Sequence, residues 1–400
     1  MSIPIWGLLR LFLVIKLTQT LIIYFTPCQF DTSSQLIISQ LPQSPFPTVI
    51  NTILDKLIVW DSVYFNALFI RPAKYEQEFV FCPGWIAFIR SFPLENYYAL
   101  QLLSILISNV CHFASAILIY AITREMYDAK ISELSSVFLI MGPTAGAFLV
   151  TNYSENVSNF LTLLCFYFYF TSINFQDYSK TSNKTIISPV KYVLSGIVAS
   201  LGFTVRANGL LLGIIYVIDL YHFFIDQNMN EIILTLTTGS SLFIALVSTN
   251  AYHYFKFCPG RGEWCNSYFP SLFKYAQDRY WNVGFLKYWT PNNIPNFLIV
   301  GPAIVINIYS TWYIYKREVP KNKRILVLVI IHCIILFSGI LFWNIQILNR
   351  VTSYSPIVYW MLSLHFIDHK KKKIAEYTVI YGLVWNVIQT ALFAAFLPPA

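Results

Sequence analysis

Charge is what this 400-residue sequence has least of: Asp, Glu, Lys and Arg make up 12% of it, against about 25% in an ordinary soluble domain. With 56% hydrophobic and 18% aromatic residues and a mean hydropathy of +0.56, a soluble globular fold is excluded and a polytopic membrane protein is implied. The loops hold no GxxxxGK[ST], no GxGxxG behind a strand and no Ser-His-Asp set on one side, which argues against a cytosolic nucleotide as substrate. Seven cysteines are scattered without a CxxC or a Cys/His cluster at ligand spacing, so neither structural zinc nor another metal site is expected. Low-complexity stretches and periodic repeats are also absent, and the chain reads as one membrane-integrated domain over residues 1–400. The net charge of +8 lies in short loops between apolar runs and forms no continuous basic face, so nucleic acid is not an expected partner.

A helix needs about 20 apolar residues to cross a bilayer, and lipid forces each crossing to be a helix or part of a closed barrel. Eleven runs qualify: Ile5–Phe25, Leu100–Ile122, Leu134–Val150, Val157–Ile173, Lys191–Val205, Gly209–Phe224, Ile232–Phe255, Phe297–Tyr315, Ile325–Ile345, Tyr354–Ile367 and Ile374–Leu397. The fifth and sixth can also be read as one long helix broken at Arg206-Ala207-Asn208-Gly209.

Basic residues sort these spans. Arg124 and Lys130 follow the second, Lys180, Lys184 and Lys191 the fourth, Lys316 to Arg324 the eighth, and His369 to Lys373 the tenth. All four clusters therefore share one side, which the positive-inside rule makes cytoplasmic. The N-terminus then lies in the cytoplasm, the first span reads as an uncleaved signal anchor, and the C-terminus lies on the far side. Two long far-side loops result, at about 26–99 and 256–296, together with the turns Thr151–Asn156, Arg206–Gly209 and Gln346–Arg350. Cys258 and Cys265 share the second loop, where an oxidising compartment permits a disulfide; two unpaired thiols are an equal alternative.

Asp61 is the acid that stands out in the first loop, because it follows the interfacial Trp60 and sits among Val59, Val63, Tyr64 and Phe65. A carboxylate there is costly to desolvate without a partner or a task, and a general base is one such task. Capping a short helix is the structural alternative. His112, His253 and His332 lie in or near spans, where a hydrogen bond between helices explains them better than a catalytic role.

Five segments carry a family resemblance: Val59-Trp60-Asp61-Ser62-Val63-Tyr64-Phe65, Tyr75-Glu76-Gln77-Glu78-Phe79, Tyr153-Ser154-Glu155, Arg206-Ala207-Asn208-Gly209 and, most specifically, Gln277 to Trp289. The chain resembles the GPI mannosyltransferase II family of the endoplasmic reticulum. The resemblance implies an all-α GT-C glycosyltransferase with about eleven transmembrane helices and an active site on lumenal loops. It further implies transfer of the second, α-1,6-linked mannose from dolichyl-phosphate mannose to the mannosyl-glucosaminyl-phosphatidylinositol intermediate. The stretch Gln77 to Pro83 departs from the family's aromatic-rich Phe-Phe-Pro.

A β-linked donor giving an α product requires inversion, hence one base and no protein nucleophile. Asp61 takes that role, with Glu155 in reserve. The departing phosphate calls for a cation, and Arg206 and Arg350 break the cytoplasmic-positive pattern; Lys287 and Arg279 follow, with lipid headgroups as the alternative partner. Trp60, Glu78, Asn208, Gln277, Asp278, Tyr280, Trp281 and Asn282 complete the expected substrate contacts. No cofactor is required beyond the activated donor, and a small accessory membrane subunit is a conceivable partner. Another mannosyltransferase using the same donor, a non-catalytic subunit and a lipid transporter are the competing readings. Asn183-Lys184-Thr185, Asn152-Tyr153-Ser154 and Asn156-Val157-Ser158 match the glycosylation pattern, the first on the cytoplasmic side and the others tight against span ends.

Overall fold

The computed structural model describes residues 4–27, 29–142, 146–176, 183–258, 260 and 262–398. Cys28, Lys180, residues 143–145 of the third expected span and the Asn183 side chain lie outside the described residues. Each of the eleven expected spans overlaps a helix, the third over 134–141 only, and among the described residues seven helices are long and apolar enough to cross a membrane. The third, fourth, fifth and tenth fall on Ala129–Met141, Glu155–Ser172, Pro189–Val205 and Pro356–Ile367, of 13, 18, 17 and 12 residues. At about 1.5 Å per residue these rise about 18–27 Å, short of a hydrocarbon core of about 30 Å.

The residues group into two compact units. The first comprises residues 1–72, 84–160 and 349–400. Its centre is the short Ala129–Met141 helix, packed against Ile5–Phe25, Tyr97–Arg124, Pro356–Ile367 and Lys372–Ala394. Asp128 caps it by accepting from the Ile131 N–H at 2.9 Å, and Gly142 ends it in the left-handed conformation that only glycine adopts freely. Serines let the backbones approach and find partners across the contact: Ser136 donates to the Ala116 carbonyl at 2.8 Å, and Ser135 meets Ser363 at 3.0 Å.

The second unit comprises residues 73–83 and 161–348. Met229–Phe257 packs against Pro189–Val205 and Gly213–Ile225, and Leu326–Leu341 against Gly213–Ile225 and Ile294–Arg317. The break between the fifth and sixth expected spans is real: the helix stops at Val205 and a 3-10 turn, Ala207–Leu212, begins after Arg206. Gly209 lies so close to that preceding helix that a Cβ would fall 2.5 Å from the Phe203 nitrogen. Among the described residues, the only strands are Ile173–Gln176 and Asn183–Ile186, which pair antiparallel. The second strand carries Lys184, which is buried and ion-paired with the fully buried Asp219. The same carboxylate accepts from the hydroxyls of Tyr169 and Tyr192, each at 2.9 Å.

Candidate active site

The local fold around Asp61 starts from an unusual backbone. Trp60 has φ 51° and ψ −132°, a region that costs a bulky side chain of order 1–3 kcal/mol and persists only where the surroundings enforce it. Here the indole packs edge-on to Phe396 at 5.3 Å. The turn makes Asp61 the first residue of the helix Asp61–Ile70, where the helix dipole favours a carboxylate. Ser62 and Asn66 follow one turn apart on one face. Ser62 donates to Asn152 Oδ1 at 2.8 Å, and Asn152 Nδ2 donates to Asn66 Oδ1 at 2.6 Å. Trp85 adds a bond to the Asn152 carbonyl at 3.0 Å, so the turn containing Asn152 is pinned to this helix.

That turn delivers two further groups. Tyr153 is fully buried among Phe65, Phe148 and Phe393, and its hydroxyl accepts from the Asp61 N–H at 2.9 Å. Glu155 opens the next helix with its side chain 1% exposed. Arg350, 15% exposed, joins them: Nη2 donates to Asp61 Oδ2 at 2.8 Å and Nε donates to Glu155 Oε1. Its guanidinium lies 4.8 Å and 4.9 Å from the ring centres of Phe148 and Tyr153. Burial alone would lower the arginine's proton affinity, but the carboxylates of Glu155 and Asp61 outweigh it and hold the cation well above its usual range. Burial and the Asp61 charge push the Tyr153 phenol well above its ordinary range, partly offset by Arg350.

Asp61, Glu155 and Arg350 are thus brought together from positions up to 289 residues apart. Asp61, at 33% exposed, is the open member of the trio and Glu155 the closed one. Tyr153, Phe148, Asn152 and Asn66 are contributors that the sequence analysis did not assign. The Ser62/Asn66 spacing and the position of Tyr153 within the quoted Tyr-Ser-Glu motif were available signals, whereas nothing marked Phe148.

The other expected residues lie in the second unit. Glu78 is 4% exposed and accepts from the N–H groups of Lys74 and Tyr75 at 2.7 Å and 3.3 Å, forming a capping box with Tyr75. Its neighbour Glu76, not singled out from sequence, accepts from Trp264 Nε1 and the Tyr280 hydroxyl at 3.2 Å and 3.3 Å. The helix Leu272–Trp281 carries Gln277, Asp278, Tyr280 and Trp281 and ends at Asn282 in the left-handed region. Burial and the Glu76 charge raise the Tyr280 hydroxyl above its ordinary range. Asp278 and Lys287 form an exposed ion pair, and Trp281 lies 6.5 Å from Phe81. Arg206 and Asn208 stand at the break between the fifth and sixth spans. Cys258 and Cys265 are disulfide-bonded, with Cα atoms 5.7 Å apart, beside a cluster of Phe257, Trp264 and Leu272. His112 is buried with a ring nitrogen 3.3 Å from the Leu139 carbonyl, the helix-to-helix role expected of it.

The fold class is that of solved GT-C oligosaccharyltransferases. The chain is similar over 98% of its length to the Archaeoglobus fulgidus oligosaccharyltransferase tethered with an acceptor peptide, at a TM-score of 0.51 and 12% identity, covering 55% of that chain. The same enzyme in complex with an inhibitory peptide and a dolichol-phosphate matches at 0.52, with 12% identity, 98% and 56% coverage. The protein spans about half of those structures, and the likeness shows the shared fold.

Within that class, residues 5–400 match the family described as mannosyltransferase (PIG-V), and the chain belongs to it. GPI mannosyltransferase 2 of Candida albicans is 58% identical over 401 residues, covering 99% of this chain and 100% of that protein. GPI mannosyltransferase 2 of Saccharomyces cerevisiae is 34% identical over 448 residues, covering 98% and 99%. The protein is therefore a membrane-embedded mannosyltransferase.

Proposed function

We propose that the protein transfers the second mannose of the GPI anchor, α-1,6-linked, from dolichyl-phosphate mannose to the mannosyl-glucosaminyl-phosphatidylinositol intermediate, on the lumenal side of the endoplasmic reticulum membrane. The observation that carries this reading is the partly open Asp61 carboxylate, held by an arginine that a buried glutamate fixes from behind. In an inverting transfer the acceptor hydroxyl oxygen bonds to the mannose C1 as the C1–O bond to phosphate breaks. The phosphate leaves with the electron pair, and the hydroxyl proton passes to Asp61. No covalent glycosyl-enzyme is needed, so one exposed carboxylate suffices.

The difference in exposure supports different roles for the two acids. Glu155 is enclosed and cannot meet a lipid-borne hydroxyl without moving, so it serves as the anchor of Arg350. With both carboxylates ionised, two negative charges and one positive leave the trio at a formal −1. Such a cluster orients a base better than it receives an anionic phosphate. Arg350 therefore acts first as the frame of Asp61, and the Gln277–Trp289 segment contributes to substrate recognition on the strength of its specific match to the family pattern.

The test is purified protein in mixed micelles with both lipid substrates. One mannose transferred with inversion from the dolichyl donor, and none from a nucleotide-linked mannose, is the expected result. Asp61→Asn should lower kcat about 10²–10⁴-fold with the protein still folded. Wild-type protein that binds both lipids without transfer, or near-normal turnover by the Asn variant, overturns the assignment.

A further inference from the structure

The third expected span ends as a helix at Gly142, and the described residues beyond it, Gly146–Val150, run as non-helical turns. Residues 147–152 are all buried, 6% exposed or less. Asn156 Nδ2, from the helix Glu155–Ser172, donates to the Leu149 carbonyl at 2.9 Å, and the further polar groups on this backbone come from three membrane-spanning helices. Lys16 and Gln19 lie within Ile5–Phe25, Asn109 within Tyr97–Arg124, and Asn386 and Gln389 within Lys372–Ala394. Gln19 Nε2 donates to the Gly146 carbonyl and to Asn386 Oδ1, each at 2.9 Å, and Asn386 Nδ2 donates to the Met141 carbonyl at 2.9 Å. Gln389 Oε1 accepts from the Ala147 N–H at 3.1 Å, Lys16 Nζ donates to the Leu149 carbonyl at 2.5 Å, and Asn109 Nδ2 donates to the Val150 carbonyl at 3.2 Å. Gly146 fits only without a side chain, because a Cβ there would fall 2.2 Å from Asn386 Nδ2.

Unsatisfied backbone costs several kcal/mol per group in hydrocarbon, and so do polar side chains placed in spans. A continuous helix would satisfy its own backbone and need none of these five side chains. The broken form gains position instead, since the same stretch carries Phe148 and Tyr153 under the guanidinium of Arg350 and the Tyr153 hydroxyl that receives the Asp61 N–H. We propose that Lys16, Gln19, Asn386 and Gln389 are positioning residues of the transferase: they hold the non-helical stretch Gly146–Tyr153 among the spans and so fix the floor of the Asp61–Arg350 site. The inference rests on the transfer reading given above.

Four variants test it: Lys16→Met, Lys16→Arg, Asn386→Leu and Gly146→Ala. A displacement of about 1 Å at a reacting geometry lowers the rate up to about 100-fold. Lys16→Met, Asn386→Leu and Gly146→Ala are therefore expected to lose about 10–100-fold in kcat per folded molecule, with KM for both lipids within about twofold of wild type. Lys16→Arg keeps a donor for the Leu149 carbonyl and is expected to recover most of the rate. Amide hydrogen exchange across residues 147–153 should speed up in Asn386→Leu while the other spans stay protected. An unchanged kcat in folded Asn386→Leu and Lys16→Met, or losses confined to thermal stability, overturns the proposal. Should Asn386→Leu fail to fold, Lys16→Met decides, since that partly exposed residue gives up one bond. Should wild-type protein transfer no mannose, the functional reading falls by itself; unaltered exchange in Lys16→Met then overturns the positioning role, and accelerated exchange in 147–153 upholds it.

Discussion

Removing the Arg350 side chain should destabilise the protein chiefly through Glu155. That carboxylate is 1% exposed, and breaking a buried pair by deleting one partner typically costs about 3–5 kcal/mol because a charge is left uncompensated. Asp61 adds less than about 1 kcal/mol, being one third exposed, and loss of the stacking on Phe148 and Tyr153 adds about 1 kcal/mol. Arg350→Ala is thus expected to lose about 4–6 kcal/mol, read as a shifted unfolding midpoint in a mixed-micelle denaturation series, and all transfer activity. Arg350→Lys keeps a cation near Glu155 but has no second nitrogen to reach Asp61, so it should recover about half of that stability while remaining nearly as inactive as the alanine variant. The double variant Glu155→Gln with Arg350→Met removes the buried charge along with its partner. It should be more stable than Arg350→Ala and still inactive. An Arg350→Ala protein within about 1 kcal/mol of wild type, or an Arg350→Lys protein of normal activity, refutes the idea that a two-pronged guanidinium frames the base.

The remaining predictions address topology, redox state and pH. Asn152 and Asn156 should carry no glycan, because both side chains are buried and their amide nitrogens already donate, to Asn66 and to Ser108 and the Leu149 carbonyl respectively. Asn183 should be unmodified for a different reason, the cytoplasmic side that the distribution of basic loops assigns to it; a glycan there, found by mass spectrometry after endoglycosidase treatment, reverses that orientation. Cys265→Ser should lower stability by about 2–3 kcal/mol for a ring closed over a sequence separation of 7, and alkylation of the native protein should label both cysteines only after reduction. Tyr153 stays protonated in the folded state beyond the ordinary phenol range, so its contribution is complete below a pH of about 10 and is lost as pH rises above that value, where the unfolded chain releases the proton. Tyr153→Phe should show a shallower fall in stability above that pH, and an identical slope would place the titration elsewhere.

The spans were legible wherever a long apolar run made one. Periodicity hardly matters in lipid, and run length alone locates Ile5–Phe25 or Met229–Phe257 within a few residues. The third expected span misled because Leu134–Val150 is as apolar as its neighbours. Its helix stops at Gly142, and the reason lies 127 to 245 residues away in Gln19, Asn386 and Gln389, whose polar groups make a non-helical backbone tolerable.

Residue type marked the three members of the ion-paired trio. Asp61 beside an interfacial tryptophan, Glu155 in a Tyr-Ser-Glu turn and Arg350 on the wrong side for a topological charge each stood out against a chain with 12% charged residues. In so apolar a sequence every retained charge needs a reason, and that scarcity, with the membrane class and the family resemblance, is legible from residue order alone. Which carboxylate is open and which is enclosed followed only from the tertiary structure. Exposure depends on what packs around a side chain, and the groups around Glu155 and Arg350 come from chain segments that no local pattern connects.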